Sequence, residues 1–144
     1  MSPLPVIDNQ YATLVYHSDT KIVHHIFHKD LNTEHFKLVL SRGVELLIEH
    51  EAIKWLADTR AIGPFSEEEG RWVNEEWLPR AIASGWKYWA LVVPEAVKAR
   101  MDLFQHMAFF EGKGIKINVF TDIDFARTWL EKVDHKSPSL QSLS

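Results

Sequence analysis

Residues 53–82 read IKWLADTRAIGPFSEEEGRWVNEEWLPRAI, and this stretch decides the fold. The apolar run Ile53–Ala57 predicts a short central strand, and polar residues follow it directly. After a Gly-Pro loop, Ser66 and Glu69 form a capping box that predicts the start of an amphipathic helix. Open α/β sheets usually place their sites at the carboxyl ends of their strands. The stretch therefore predicts a strand–loop–helix unit and the edge of the sheet where a site is expected.

The other apolar patterns predict a mixed sheet. Two runs near the start, Tyr11–Tyr16 and Lys21–Lys29, are separated by turn residues and predict an antiparallel hairpin. A buried strand at Tyr88–Val93 and a half-exposed strand nearer an edge at Ile115–Val119 follow. Helices are predicted at about residues 33–50, 66–84, 95–111 and 123–133. This order predicts an α/β domain with a mixed five-stranded sheet, an N-terminal antiparallel hairpin followed by parallel strands, on which about four helices pack.

Apolar stripes at helical spacing predict which helix faces are buried. The third helix presents Val97, Met101, Phe104 and Ala108 on one face, and the last presents Phe125, Trp129 and Val133. Pro79 lies inside the second helical pattern, and it predicts a kink or a break there because proline cannot donate a backbone hydrogen bond.

Composition predicts a single domain. A chain of 144 residues can bury an independent core; we assign it to residues 1–134 and interpret the polar segment 135–144 as a disordered tail. The net charge of −4 argues against a nucleic-acid partner, because such binding needs a basic face. Cysteine is absent, no apolar run approaches the ~20 residues of a membrane span, and the first residues do not resemble a signal peptide. We therefore expect a cytoplasmic protein.

The chain resembles a known family in the order and pattern of its elements. The hairpin start is followed by WLADTRAIG at residues 55–63, WVNEEWLPRAI at 72–82 and FTDIDFARTWL at 120–130. Over most of residues 11–134 this is similar to the SpoIIAA-like, or STAS-type, proteins. The resemblance implies a fold shared with anti-sigma-factor antagonists and related to CRAL-TRIO lipid-binding domains. It implies a non-enzymatic regulatory or protein-interaction role.

Anti-sigma antagonists of this family carry a phosphorylatable serine in an Asp-Ser-Ser-Gly-like stretch after the third strand. That motif is missing here. We interpret Ser66 as a helix N-cap, whose hydroxyl binds amides of the first turn. The acidic residues that follow it would repel an added phosphate, so we expect no phosphorylation site.

Two polar groups resemble sites. His24, His25 and His28 form an HHxxH pattern, but on a strand the first and last lie about 13 Å apart and the middle one faces the other side. We predict surface or cross-strand packing for them and no metal. Asp58 and Arg60 at the strand end can form a structural ion pair, or Arg60 can receive an anionic ligand group. No catalytic or cofactor motif is recognisable, so we expect no cofactor and rank an enzyme last.

Six Trp and eight Phe are more aromatic side chains than inward stripes readily hold. Trp72 and Trp77 are five residues apart, about 140° around an α-helix, and the adjacent Phe109 and Phe110 cannot both face inward. Burial of all of them in the core is the simplest explanation, and a partner interface or a ligand groove is the other. The candidate ligand or partner contacts are Asp58, Arg60, Phe65, Trp72, Trp77, Phe109 and Phe110.

We expect binding as the activity, with a homodimer or another protein as the partner and a small apolar ligand or lipid as the alternative. A cavity among the helices lined by Trp and Phe would favour the alternative. A flat exposed aromatic patch would favour the protein partner, and a cleft of carboxylates or histidines with displaced pKa values would favour an enzyme.

Overall fold

A computed structural model describes residues 4–135 and contains one sheet of six strands. The strands are β1 Leu4–Asp8, β2 Ala12–His17, β3 Ile22–Phe27, β4 Lys54–Asp58, β5 Tyr88–Val92 and β6 Lys116–Phe120. They lie side by side in chain order, with antiparallel pairs from β1 to β3 and parallel pairs from β3 to β6. The predicted α/β class with a hairpin followed by parallel strands is confirmed, and β5 is interior while β6 is an edge, as predicted.

The strand count of five is wrong by one, because β1 pairs with β2 at the other edge of the sheet. This segment contains Pro5, and the pairing register shifts between Pro5 and Ile7. Proline cannot donate a hydrogen bond to a neighbouring strand, so it is found in strands mainly at sheet edges. Pro5 therefore disfavours the prediction of a strand from sequence, but it is compatible with the edge position of β1. The segment interpreted as a tail begins at His135, and residues 136–144 lie outside the described part of the chain.

Six α-helices and one π-helical turn connect and follow the strands within residues 4–135. They are α1 Thr33–His50, α2 Glu67–Trp72, the π turn Val73–Trp77, α3 Leu78–Ala83, α4 Glu95–Arg100, α5 Leu103–Glu111 and α6 Ile123–Lys132. The predicted capping box is present: the Ser66 hydroxyl accepts from the backbone of Glu69 at 3.1 Å, and the Ser66 N–H donates to the Glu69 carboxylate at 2.9 Å. None of the helices in this range is long and apolar enough to cross a membrane.

The π turn corrects the expectation that Trp72 and Trp77 cannot face the same core. The backbone N–H of Leu78 donates to the carbonyl of Val73, five residues earlier. A turn closed in this way is wider than an α-helical turn, so residues five apart come round to nearly the same side. Trp77 is buried, and the half-buried Trp72 packs against Phe36 with ring centroids 6.1 Å apart. Pro79 follows the π turn at the start of α3.

The predicted third helix is two helices, since Met101 adopts an extended conformation and Asp102 caps α5 by accepting from the backbone of Gln105 at 3.1 Å. The predicted inward stripe is therefore wrong, because Phe104 is 83% exposed and Val97 is 42% exposed. The stripe predicted on α6 is also wrong at Phe125, which is 72% exposed. The side chains that α6 buries are Ala126 and Leu130.

The helices form two layers on either side of the sheet. The helices α1, α2, α3 and α5 lie on one face, where they pack on a hydrophobic core with the inward residues of the strands, and α6 covers β4, β5 and β6 on the other face. Helix α4 borders the cavity on the first face and buries no side chain. Because strand residues alternate between faces, neighbours in sequence separate: His25 and Ala57 lie on the first face, and His24 and Asp58 lie on the α6 face.

Trp55 on β4 is 1% exposed and lies under α1 at Gly43. A Cβ atom added to Gly43 would overlap the Cη2 and Cζ2 atoms of the Trp55 ring. The close approach of helix to sheet therefore requires glycine at this position, which is otherwise an unfavourable residue in the middle of a helix.

We predict that Gly43→Ala destabilises the protein by about 1–3 kcal/mol, because the added methyl forces α1 or the Trp55 ring to move in a packed core. Gly70→Ala in α2 is the matched control: its added Cβ has no neighbour within 4 Å, and it should stabilise by about 0.5–1 kcal/mol. Urea unfolding followed by circular dichroism measures both. Equal effects of the two substitutions would contradict this packing.

Candidate functional site

A cavity of about 590 Å³ lies between the first face of the sheet and its helices. Its wall is formed by β3, β4 and β5, by the loops that follow β4 and β5, and by the π turn, α4 and α5. Most of the lining is apolar, and its aromatic members are Phe27, Trp55, Phe65, Trp77, Trp86 and Trp89. The volume is within the range of about 300–1,000 Å³ that is typical of small-molecule sites. The cavity includes the carboxyl edge of the sheet, where open α/β sheets usually bind ligands.

Four tryptophans form a continuous cluster in this wall. Ring centroids are 5.4 Å apart for Trp55 and Trp77, 5.5 Å for Trp77 and Trp86, and 5.3 Å for Trp86 and Trp89. The indole N–H of Trp77 donates to the Leu40 carbonyl at 2.7 Å, and that of Trp86 to the Tyr88 carbonyl at 3.0 Å. Because these polar hydrogens are paired inside the protein, the two rings offer the cavity their apolar surface.

His25 is the buried titratable group of the wall. The indole N–H of Trp55 donates to its Nδ1 at 2.8 Å. Burial, together with a smaller contribution from the neighbouring His24, lowers the pKa of His25 to about 3. The ring is therefore neutral at ordinary pH. Within residues 4–135 its Nε2 atom has no hydrogen-bond partner.

The other histidines of the HHxxH pattern lie on the opposite, α6 face, and they pair across strands. His24 Nδ1 lies 3.1 Å from His17 Nε2, and His28 Nε2 lies 2.9 Å from the Thr13 hydroxyl. Burial, together with smaller contributions from His17 and Arg127, lowers the pKa of His24 to about 4. Among the described residues, no group of three or more His, Cys, Asp or Glu side chains is placed to hold a metal ion.

Asp58 and Arg60 form a two-pronged ion pair, with Nε to Oδ1 at 3.0 Å and Nη2 to Oδ2 at 2.7 Å. Burial alone would raise the pKa of Asp58, but hydrogen bonds from the Arg60 side chain and backbone, with the charge of Arg60, outweigh burial and hold the pKa below its ordinary value. Asp58 is buried on the α6 face, whereas Thr59 lines the cavity and donates its hydroxyl to the Val92 carbonyl at 2.9 Å. The structure therefore does not bring this ion pair into the cavity wall.

The aromatic candidates occupy different places. Phe65 and Trp77 line the cavity. Because Trp77 is buried within its own chain, it can contact a ligand in the cavity but not a partner subunit. Trp72 packs on Phe36 behind the wall. Phe110 packs edge-on against Trp89 with centroids 5.1 Å apart, and Phe109 is 53% exposed.

Sequence reasoning did not select four of the residues that build the wall: His25, Trp55, Trp86 and Trp89. Trp55 and Trp89 are paired in register on adjacent parallel strands. The sequence places each tryptophan near the middle of a predicted strand. It does not show that the two strands are neighbours, and without that knowledge the two side chains cannot be assigned to one site.

No protein family, curated protein or solved structure matches this chain. Membership of the SpoIIAA-like family therefore stays a prediction from the order of elements and the three segments quoted above.

The buried histidines predict acid instability. Their folded pKa values, about 4 for His24 and about 3 for His25, lie below the ordinary 6.5. Below pH 6.5 the unfolded chain therefore binds protons that the folded chain does not, so stability is full above pH 6.5. Each histidine should then lower the free energy of unfolding by about 1.4 kcal/mol per pH unit as the pH falls from 6.5 toward the pKa of that histidine in the folded protein.

His24→Asn should reduce this slope by about 1.4 kcal/mol per pH unit, measured by urea unfolding between about pH 7.5 and about pH 4.5. Phe125→Asn, which replaces a side chain that is 72% exposed and cannot titrate, is the control and should leave the slope unchanged. A wild-type stability that is independent of pH over this range would contradict the burial of neutral histidines.

Proposed function

We propose that this protein binds a small, largely apolar molecule in the aromatic cavity. The observation that carries the proposal is the cavity itself: about 590 Å³ between sheet and helices, with four tryptophans in its wall. Aromatic side chains provide large contact areas with few rotatable bonds, so a wall of this composition favours flat or elongated apolar ligands.

The tryptophans of the cavity wall are held in place by the protein, which supports a preformed binding site. Trp55, Trp77 and Trp86 are each 5% exposed or less, and each donates its indole N–H to another group of the protein. A ligand that enters such a site loses little of its affinity to ordering the protein, because side chains held by hydrogen bonds and packing are already in place.

Binding is favoured over catalysis for this cavity. Its buried titratable group is His25, and a pKa of about 3 makes its ring a weak base at neutral pH. The other titratable side chains in the lining, Arg100, Asp102 and His106, are exposed. A general acid–base pair needs two positioned groups with pKa values suited to proton transfer, and this arrangement lacks the second one near His25.

The STAS-type regulatory role stays a prediction, and one observation favours a protein contact as a second activity. Helix α5 exposes Phe104 and Phe109, 83% and 53% respectively, on a helix whose other aromatic, Phe110, packs inward. Aromatic side chains are enriched in protein contact surfaces, so the exposed Phe109 is a candidate contact.

We predict that Ala57→Leu weakens binding of the neutral apolar dye Nile red by about tenfold or more, because Ala57 lies in the cavity wall and the larger side chain occupies ligand space. Dye fluorescence measures the affinity, and thermal unfolding checks that the variant is folded. Ala83→Leu, in the separate groove between α1 and α3, is the matched control. The proposal fails if the dye does not bind, or if both variants affect it equally.

The protein contact predicts a homodimer, with a mass in sedimentation near twice 16.7 kDa at micromolar concentration. Phe109→Ser should shift the mass toward that of one chain, because it removes an exposed aromatic from α5. Phe125→Ser on α6 alters a side chain that is 72% exposed elsewhere and should leave the mass unchanged. A wild-type monomer would refute the dimer without affecting the ligand proposal.

A further inference from the structure

Hydrogen bonding fixes the position of the proton on His25. The indole of Trp55 donates to Nδ1 at 2.8 Å, and an indole nitrogen can only donate. Nδ1 must therefore present its lone pair, and the neutral ring carries its hydrogen on Nε2. The tautomer of His25 is therefore determined by the indole of Trp55, which can only donate a hydrogen bond.

The Nε2–H group is a donor in an apolar wall. His25 is 3% exposed and lines the cavity, and within residues 4–135 no protein atom accepts the Nε2 proton. A buried N–H without an acceptor is uncommon and unfavourable, so an acceptor from a ligand would be stabilising. The Nε2 atom is covered by its neighbours. An acceptor reaches it when a neighbour without a hydrogen bond of its own, Phe27, changes rotamer while the hydrogen-bonded tryptophans stay in place.

The surroundings of His25 determine which acceptors fit. Phe27, Trp55 and Ala57 lie beside it, with ring centroids 4.2 Å away for Phe27 and 5.8 Å away for Trp55. The cation in the lining, Arg100, is exposed and belongs to α4. A carboxylate beside His25 would lose its hydration without gaining a counter-charge, which is unfavourable.

We infer that the ligand carries an uncharged hydrogen-bond acceptor, such as the carbonyl oxygen of a ketone, ester or amide, which accepts the Nε2 proton of His25. The apolar remainder of the ligand packs against the tryptophans. This inference rests on the proposed function of the cavity and adds the chemical class of the ligand. It also excludes groups that only donate, because Nε2 has no lone pair to offer them.

Two nearly isosteric probes test the inference: 2-acetylnaphthalene, which has a ketone oxygen, and 2-isopropenylnaphthalene, which has a methylene group in its place. The two lose different amounts of hydration on leaving water, so the quantity to compare is the ratio of their affinities in wild type and variants. Titration calorimetry gives that ratio.

His25→Asn is the informative variant, because the Asn side-chain oxygen can replace Nδ1 as the acceptor for Trp55 but no donor replaces Nε2. The ratio of ketone to alkene affinity should fall about tenfold, the value of one hydrogen bond. His25→Gln is the matched rescue, because its amide nitrogen can reach the place of Nε2, and the ratio should stay near that of wild type.

Nitrogen-15 spectra of the His25 ring provide a readout that needs no variant. The proton should lie on Nε2 in the free protein, and 2-acetylnaphthalene should shift the Nε2–H signal more than 2-isopropenylnaphthalene does. A proton on Nδ1, or a ratio unchanged by His25→Asn, would overturn the inference alone. Binding of neither probe would overturn the proposed function together with it. Tighter binding of 2-naphthoate, lost in His25→Asn, would replace the uncharged acceptor with a carboxylate.

Discussion

The Trp55 side chain connects the helical layer, the sheet and the cavity. Its ring lies against the backbone of α1 at Gly43, where a larger residue has no room. Its indole N–H binds His25 on the neighbouring strand, and its ring packs on Trp77 and Trp86. Because the ring is packed under α1 with its indole N–H directed at His25, the tautomer of His25 in the cavity wall follows from the packing of the core.

Successive side chains along a strand point to opposite faces of the sheet, and this places charged and apolar groups on different faces. Asp58 and Thr59 are adjacent in sequence, yet the carboxylate is buried toward α6 with Arg60 and the threonine lines the cavity. His24 and His25 divide in the same way. The ion pair of Asp58 with Arg60 and the paired His17 and His24 therefore lie on the α6 face. The buried part of the cavity wall is aromatic with the Nε2–H group of His25, and the charged lining residues Arg100 and Asp102 are exposed.

The sequence predicted the elements that local rules control and missed those that depend on neighbours in space. The hairpin, the capping box at Ser66 and the interior strand β5 follow from turn residues, side-chain capping and apolar runs, and all are present. Strand β5 is less buried than predicted, because Trp89 and Leu91 face the cavity. The break between α4 and α5 was missed because no glycine or proline marks it, although Asp102 with Gln105 three residues later is a start signal of the same kind as the capping box.

The cavity could not be predicted from one strand at a time. Its tryptophans come together because β4 and β5 are adjacent and in register, and because the π turn rotates Trp77 inward. The exposure of Phe125 has a related cause: α6 is oriented by the packing of Ala126 and Leu130, and a small alanine lets the helix lie close to the sheet. An apolar stripe identifies a helix more reliably than it identifies the buried face.

The π turn at Val73–Trp77 also has a consequence for how the chain can vary in length. It accommodates one residue more than a regular α-helix would need over the same rise, so it is equivalent to an insertion held within the helix. Deleting one residue within the turn would restore α-helical spacing, and Trp72 and Trp77 would then be four residues apart, about 40° around an α-helix and still on the same side. The turn is therefore the place where this helix can lose one residue without separating the two tryptophans.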